Sequence, residues 1–204
     1  MLRRLLQLYI GLVLYGVSTA LFVHANLGAD PWDVFHLGVA KQLGISFGTV
    51  IILTGAAVLL LWIPIRQMPG LGTVSNVIVL GLAADATLAV LPPLESMVAR
   101  SALLVGAIVL NAIATGMYIG AGFGPGPRDG LMTGLHARTG WSLHGIRTAI
   151  ELSVLLIGWL LGGKFGVGTV IYALSIGPLI QLCLPWFSQP VSRNAVSPPR
   201  EIVS

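Results

Sequence analysis

The sequence predicts an all-α membrane protein: six transmembrane helices plus two short re-entrant or interfacial helices, built as two inverted three-span repeats offset by 96 residues. Three observations carry that prediction. Only 9% of the 204 residues are charged and 55% are hydrophobic, whereas a soluble domain carries about 25% charged residues to face water. Apolar runs long enough to cross a hydrocarbon core of about 30 Å, roughly 20 residues each, recur along the chain. Finally, the chain matches itself without a gap when it is shifted by 96 positions.

The first span covers residues 5–23. Arg3 and Arg4 before it and Val23-His24-Ala25 at its end mimic a secretory signal, but the apolar stretch exceeds the roughly 7–15 residues that such signals use. It also has a counterpart in mid-chain at 101–121. The turn from Gly28 to Asp33 then opens a short segment, 31–43. Asp30 is placed to cap a helix, Pro31 suits the first helical position, and Asp33 falls in the first turn, where the helix dipole favours negative charge. A helix of that length reaches about 20 Å, short of a crossing. Its His36, Lys41 and Gln42 are also too polar for a lipid-facing span. Spans at 47–64 and 71–91 complete the first repeat, about residues 5–92.

The second repeat, about 101–188, follows the same order: a span at 101–121, a turn from Gly124 to Asp129, a short segment at 127–139, and spans at 143–161 and 169–187. The shift places Gly28 on Gly124, Pro31 on Pro127, Asp33 on Asp129, Gly44 on Gly140 and Ser46 on Ser142. Farther on it places Gly70, Gly72 and Thr73 on Gly166, Gly168 and Thr169. Apolar coincidences are common in such a chain, but these are not apolar coincidences. One polytopic domain over 1–188 is expected, followed by a disordered tail at 189–204, rich in Pro, Ser and Arg.

Parity decides the orientation of the repeats. Three crossings each make the second copy enter from the opposite side; if the short helices also cross, there are eight spans and the repeats are parallel. Charge bias serves both arrangements about equally. With six spans and cytoplasmic termini, Arg3, Arg4, Arg66, Arg128, Arg138, Arg147, Arg193 and Arg200 lie inside, against Lys41, Arg100 and Lys164 outside. Segment length favours six.

The net charge of +4 comes from scattered residues, not a basic stripe, so no nucleic-acid partner is expected. A lone cysteine, Cys183, provides neither a disulfide nor a thiolate metal site. His24, His36, His136 and His144 match no metal-ligand spacing, and no metal or cofactor is expected. Motifs for zinc hydrolysis, serine hydrolysis or nucleotide binding are lacking in the sequence, so an enzyme is not expected.

The candidate cavity residues are Asp30, Asp33, Asp85, Arg128, Asp129, Arg147, Glu151 and Gln181, with Gly28, Pro31, Gly124 and Pro127 shaping the helix-start turns. Two readings of the repeated aspartates stay open: they cap helices, or they line a polar cavity where short helices end inside the membrane. Asp85 lies inside a span with Gln181 as its counterpart, so both copies keep a polar group there, a position where function is the default expectation. Asn76, nine residues before Asp85, projects from the opposite side of the same helix, and its counterpart is Tyr172. Arg147 and Glu151, four apart, can pair on one face. Asn111 reads as a bond between helices, and the glycines at 116, 120 and 124 and at 158, 162 and 166 as close-packing faces. Trp62, Trp159 and Trp186 sit near span ends, where interfacial anchors are expected.

The stretches from Leu27 to Gly38 and from Gly122 to Leu135, with those beginning at Pro69 and Phe165, resemble the bacterial YczE/YyaS/YitT membrane protein family, in particular its YczE-like branch. The resemblance runs from the first span to about Phe187 and implies a multi-pass protein of the bacterial cytoplasmic membrane, without implying a substrate. The soluble C-terminal domain of the YitT-like branch has no counterpart, and nothing of that domain carries over. A small permease or channel in the lipid bilayer is the expected function, moving an unidentified small molecule or ion, with proton coupling through a carboxylate such as Asp85 as an option. The alternative is a non-transporting accessory or assembly subunit that meets a membrane partner or a second copy.

Overall fold

In the computed structural model, residues 1–188 are described, and they form eight α-helices; the tail expected at 189–204 lies outside the described residues. Six helices are long and apolar enough to cross a membrane: α1 (Leu2–Ala25), α3 (Phe47–Ile65), α4 (Leu71–Val90), α5 (Met97–Gly120), α7 (Leu143–Leu160) and α8 (Val167–Phe187). The other two, α2 (Pro31–Leu43) and α6 (Pro127–Thr139), have 13 residues each, too short to span a core of about 30 Å. The chain is a multi-pass membrane protein.

Capping chemistry sets the ends of the short helices. Gly44 and Gly140 stop α2 and α6 in the left-handed conformation, with φ of 65° and 71°. Two residues later Ser46 and Ser142 start α3 and α7, accepting the N–H groups of Thr49 at 3.2 Å and Gly145 at 3.1 Å. Each repeated Gly-x-Ser is thus a helix stop followed by a helix start.

At the centre α1 runs along α5. Arg4, near the start of α1, donates to the Ala121 carbonyl just past α5 at 2.9 Å, and Arg100, near the start of α5, donates to the Ala25 carbonyl at the end of α1 at 2.7 Å. The two helices are therefore antiparallel. α1 and α5 start earlier than the apolar spans and so include these arginines, whose guanidinium N–H groups donate to backbone carbonyls. Around this pair, α4 packs on α1 and α8 on α5, while α2 packs on α7 and α6 on α3.

Contacts between the halves come in pairs 96 residues apart. Gln42 donates to the Leu161 carbonyl at 2.9 Å and Arg138 to the Ile65 carbonyl at 3.2 Å. Gly72 N–H donates to Phe123 and Gly168 N–H to Leu27, both at 2.8 Å. Gly28 and Gly124 bend the chain with φ of 111° and 113°, a region closed to most side chains. A Cβ at either would stand 2.8 Å from Oγ1 of Thr169 or Thr73, respectively. Glycine is required at both places for close approach as well as for the bend.

The halves also differ. Trp62, expected at an interface, is buried at 1% exposure: its ring covers Gly130 and its Nε1–H donates to the Pro127 carbonyl at 3.0 Å. A polar partner inside the protein and a glycine that admits the ring draw it inward. At the corresponding place in the other half the sizes are exchanged, with Val34 and Phe35 of α2 against Gly158 of α7. Trp159 and Trp186 remain exposed at 59% and 71%. A further difference concerns α3 and α4, which pack closely; α7 and α8, their counterparts, do not.

Candidate functional site

The Pro-led starts of α2 and α6 meet in the interior. Arg128 Nη1 lies 3.9 Å from Asp30 Oδ2 and Nη2 lies 4.0 Å from Asp33 Oδ1. The guanidinium carbon stands 4.9 Å from the centroid of the Trp32 ring, within cation–π range. Trp32 and Arg128, in contact here, are 96 residues apart in the sequence.

A cavity of about 100 Å³ opens at this junction, and all eight helices or their leading turns contribute to its wall. Asp30, Arg128 and Asp129 come from the short helices, Tyr15 and Tyr118 from the central pair, and Arg147 and Glu151 from α7. Asp30 caps α2, its Oδ1 accepting the Asp33 N–H at 2.8 Å. His36 Nδ1 donates to Asp33 Oδ1 at 3.1 Å, and the Tyr118 hydroxyl donates to Asp129 Oδ2 at 3.0 Å. Arg147 Nε donates to Glu151 Oε1 at 2.8 Å, in the pairing that their spacing suggests. Asp33 Oδ2 and Trp32 Nε1 are buried with no hydrogen-bond partner.

Burial pushes the Asp30 carboxyl up to about 6, with the Asp33 charge adding and Arg128 opposing. It does the same to Asp33, also up to about 6, again against Arg128. Burial, reinforced by the Arg128 charge, holds the His36 imidazole well below its usual value. Around neutral pH the junction therefore holds carboxylates, a guanidinium and a neutral imidazole.

Of the sequence candidates, Asp30, Pro31, Pro127, Arg128, Asp129, Arg147 and Glu151 line the cavity. Asp33 joins them through Arg128, and Gly28 and Gly124 form the bends behind the turns. Asp85 and Gln181 lie elsewhere. Asp85 accepts from Ser46 Oγ at 2.5 Å and from the Gly48 N–H at 2.7 Å, which fastens α4 to the start of α3. Gln181 is exposed on α8. The polar pair of these spans that does face the cavity is Asn76 and Tyr172, on the opposite side of the helix from Asp85 and Gln181.

Tyr15 and Tyr118 were not legible as cavity residues, because aromatic side chains in apolar spans read as core, and Trp32 read as part of a helix-start turn. One signal was available for Trp32: the repeat shift sets it on Arg128. Asn111 is a bond between helices, donating to Ser18 Oγ at 2.9 Å and accepting from the Tyr172 hydroxyl at 3.3 Å. Among the described residues no three His, Cys, Asp or Glu side chains converge as a metal-binding group.

Comparison with known proteins agrees with the resemblance seen in the motifs. The chain is 38% identical over 177 residues to an uncharacterized protein of Haemophilus influenzae, covering 87% of this chain and 81% of that one. It is 30% identical to the uncharacterized membrane protein YczE of Bacillus subtilis, covering 87% of this chain and 83% of YczE. With the uncharacterized protein YyaS of the same organism it shares 23% identity over 86% of this chain and 90% of YyaS. No solved structure matches. With residues 2–185 matching its family model, the chain belongs to the DUF6198 family of unknown function.

Proposed function

We propose that the protein is a small permease of the bacterial cytoplasmic membrane, moving a compact polar solute through the cavity between two inverted three-span halves, with both termini cytoplasmic. Inversion is supported by the antiparallel α1 and α5, by the paired contacts 96 residues apart, and by Trp32 meeting its own counterpart Arg128, as happens at a two-fold axis. Transport instead of catalysis or scaffolding is favoured by a charged cavity in the interior of an apolar protein, where unpaired charge is costly.

One observation carries the reading most directly. On one side α4 is clasped to α3 through Asp85, Ser46 and Gly48, while on the other the corresponding helices α8 and α7 stand apart. Arg147 of α7, which lines the cavity, has a side chain that is 55% exposed. A closed end and an open end around one central site is the arrangement from which two pseudo-symmetric halves exchange roles. In the opposite state α8 closes on α7, bringing Gln181 to Ser142 as Asp85 now meets Ser46, and the α3–α4 clasp opens.

Reconstitution tests this. Purified protein in liposomes is expected to take up a member of a panel of small ammonium, guanidinium, carboxylate and neutral solutes, and Asp129→Asn is expected to abolish uptake while leaving the folded protein intact. A panel in which nothing moves, with Asp129→Asn failing to fold, would return the aspartates to capping and favour the accessory-subunit reading.

A further inference from the structure

The permease reading leaves the sign of the solute open, and the arrangement around Arg128 bears on it. Resting on that reading, we infer that the cavity binds a compact cation carrying N–H donors, a guanidinium or primary ammonium, in the place that the Arg128 guanidinium occupies.

Charge is the first argument. Asp30, Asp33, Asp129 and Glu151 stand around the site against Arg128 and Arg147. Arg147 is engaged by Glu151 at 2.8 Å, and Asp129 accepts from the Tyr118 hydroxyl, which leaves Arg128 as the cation facing both Asp30 and Asp33. Anions gain little from the helix ends here: the start of α2 is already occupied by its own Asp30, which accepts the Asp33 N–H, and Asp129 sits in the first turn of α6.

Geometry is the second. Charge-assisted N–H···O contacts close to about 2.7–2.9 Å, yet Arg128 stands at 3.9 and 4.0 Å from its carboxylates. Asp33 Oδ2, in a residue 1% exposed, has no hydrogen-bond partner at all. Asp33, whose Oδ1 has His36, is thus short of a donor at Oδ2. The Trp32 ring adds a face that attracts a cation, at present covered by Arg128. Arg128 is tethered by a long side chain that is still 24% exposed, so it leaves this position without disturbing the backbone, and a free cation with the same donors takes over its partners. The cavity volume of about 100 Å³ restricts the ligand to a compact one.

Thermal unfolding of the detergent-solubilised full chain, followed by tryptophan fluorescence, tests the inference with guanidinium, ammonium and methylammonium chlorides. Sodium chloride and sodium acetate at the same ionic strength serve as controls. At least one N–H cation is expected to raise the melting temperature saturably. Asp33→Asn is expected to weaken that response, and Asp30→Asn replaces it as the probe if Asp33→Asn does not fold. Arg128→Ala is the decisive variant. With the tethered competitor removed, its half-saturating cation concentration should fall by about tenfold or more, because the competent site is no longer mostly occupied.

Stabilisation by acetate or chloride that Arg128→Ala abolishes would overturn the inference and make Arg128 an anion ligand. Absence of any cation response in both wild type and Arg128→Ala would also overturn it. The two readings fail separately in liposomes: uptake of neutral or anionic solutes without any cation sinks this inference and keeps the permease. Saturable cation binding without uptake of any solute keeps the site and sinks the permease.

Discussion

Asp85 Oδ1 accepts the backbone N–H of Gly48 at 2.7 Å, while its Oδ2 accepts Ser46 Oγ at 2.5 Å, so a carboxylate inside α4 serves the start of α3. A Cβ on Gly48 would collide with the Gly81 backbone and stand within 2.7 Å of Asp85 Oδ2, so glycine is what lets the two helices come together there. The counterparts of Gly48, Gly81 and Asp85 are His144, Gly177 and Gln181, and a Cβ on Gly177 would meet nothing within 4 Å.

Replacing Asp85 by alanine removes that clasp. The loss of the contact to the α3 start is expected to cost about 1–2 kcal/mol, read as a lower melting temperature of the purified protein. Under the permease proposal Asp85→Ala also opens the α3 end, so a cysteine introduced at Ile51, buried on the cavity side of α3, should react faster with a membrane-impermeant maleimide than in the Asp85 background. Equal labelling rates in the two backgrounds would separate Asp85 from gating.

Gly130 lies beneath the Trp62 ring. Gly130→Ala forces that ring or α6 to move, an overpacking that costs about 1–3 kcal/mol in a well-packed interior. Trp62→Leu in the same chain should recover part of the loss, since the two changes share one contact. Denaturation of the single and double variants measures the coupling, and strictly additive losses would contradict the contact.

The acidic pair predicts a pH dependence. Asp30 and Asp33 are raised from their ordinary 3.8 to about 6 in the folded protein, so between those values the folded chain holds protons that the unfolded chain has released. Their contribution to stability is fully present below 3.8 and is lost as pH rises through about 6. Melting temperature should therefore fall from pH 5 toward pH 7, with a shallower slope in Asp30→Asn. Cation affinity runs the other way, weakening as the carboxylates are protonated below 6. A slope unchanged by Asp30→Asn would assign the dependence to other groups.

Orientation is measured directly. In the inverted arrangement a reporter fused after Met68 is cytoplasmic and one fused after Ser96 is external, because α4 crosses between them. The opposite pair of locations would mean parallel halves.

By itself, the sequence determined the class, the six long helices, the two short ones and their caps. These depend on local composition and short-range bonds: apolar length for the spans, Asp30 with Pro31 for the start of α2, and Gly44 with Ser46 for the passage into α3. The 96-residue self-match also held the positions that make paired contacts, including Arg4 and Arg100, although a match says which residues correspond and not what they touch. Tertiary structure alone decided which polar residues share the interior. Asp85 and Asn76 lie nine residues apart on one helix, and the neighbours on each side sent Asp85 to the start of α3 and Asn76 to the cavity. The same holds for Trp62, whose place in the core depends on Gly130 and Pro127 from the other half. Spacing along a helix gives direction relative to that helix, while the meaning of a polar group inside a membrane protein is set by what long-range packing puts opposite it.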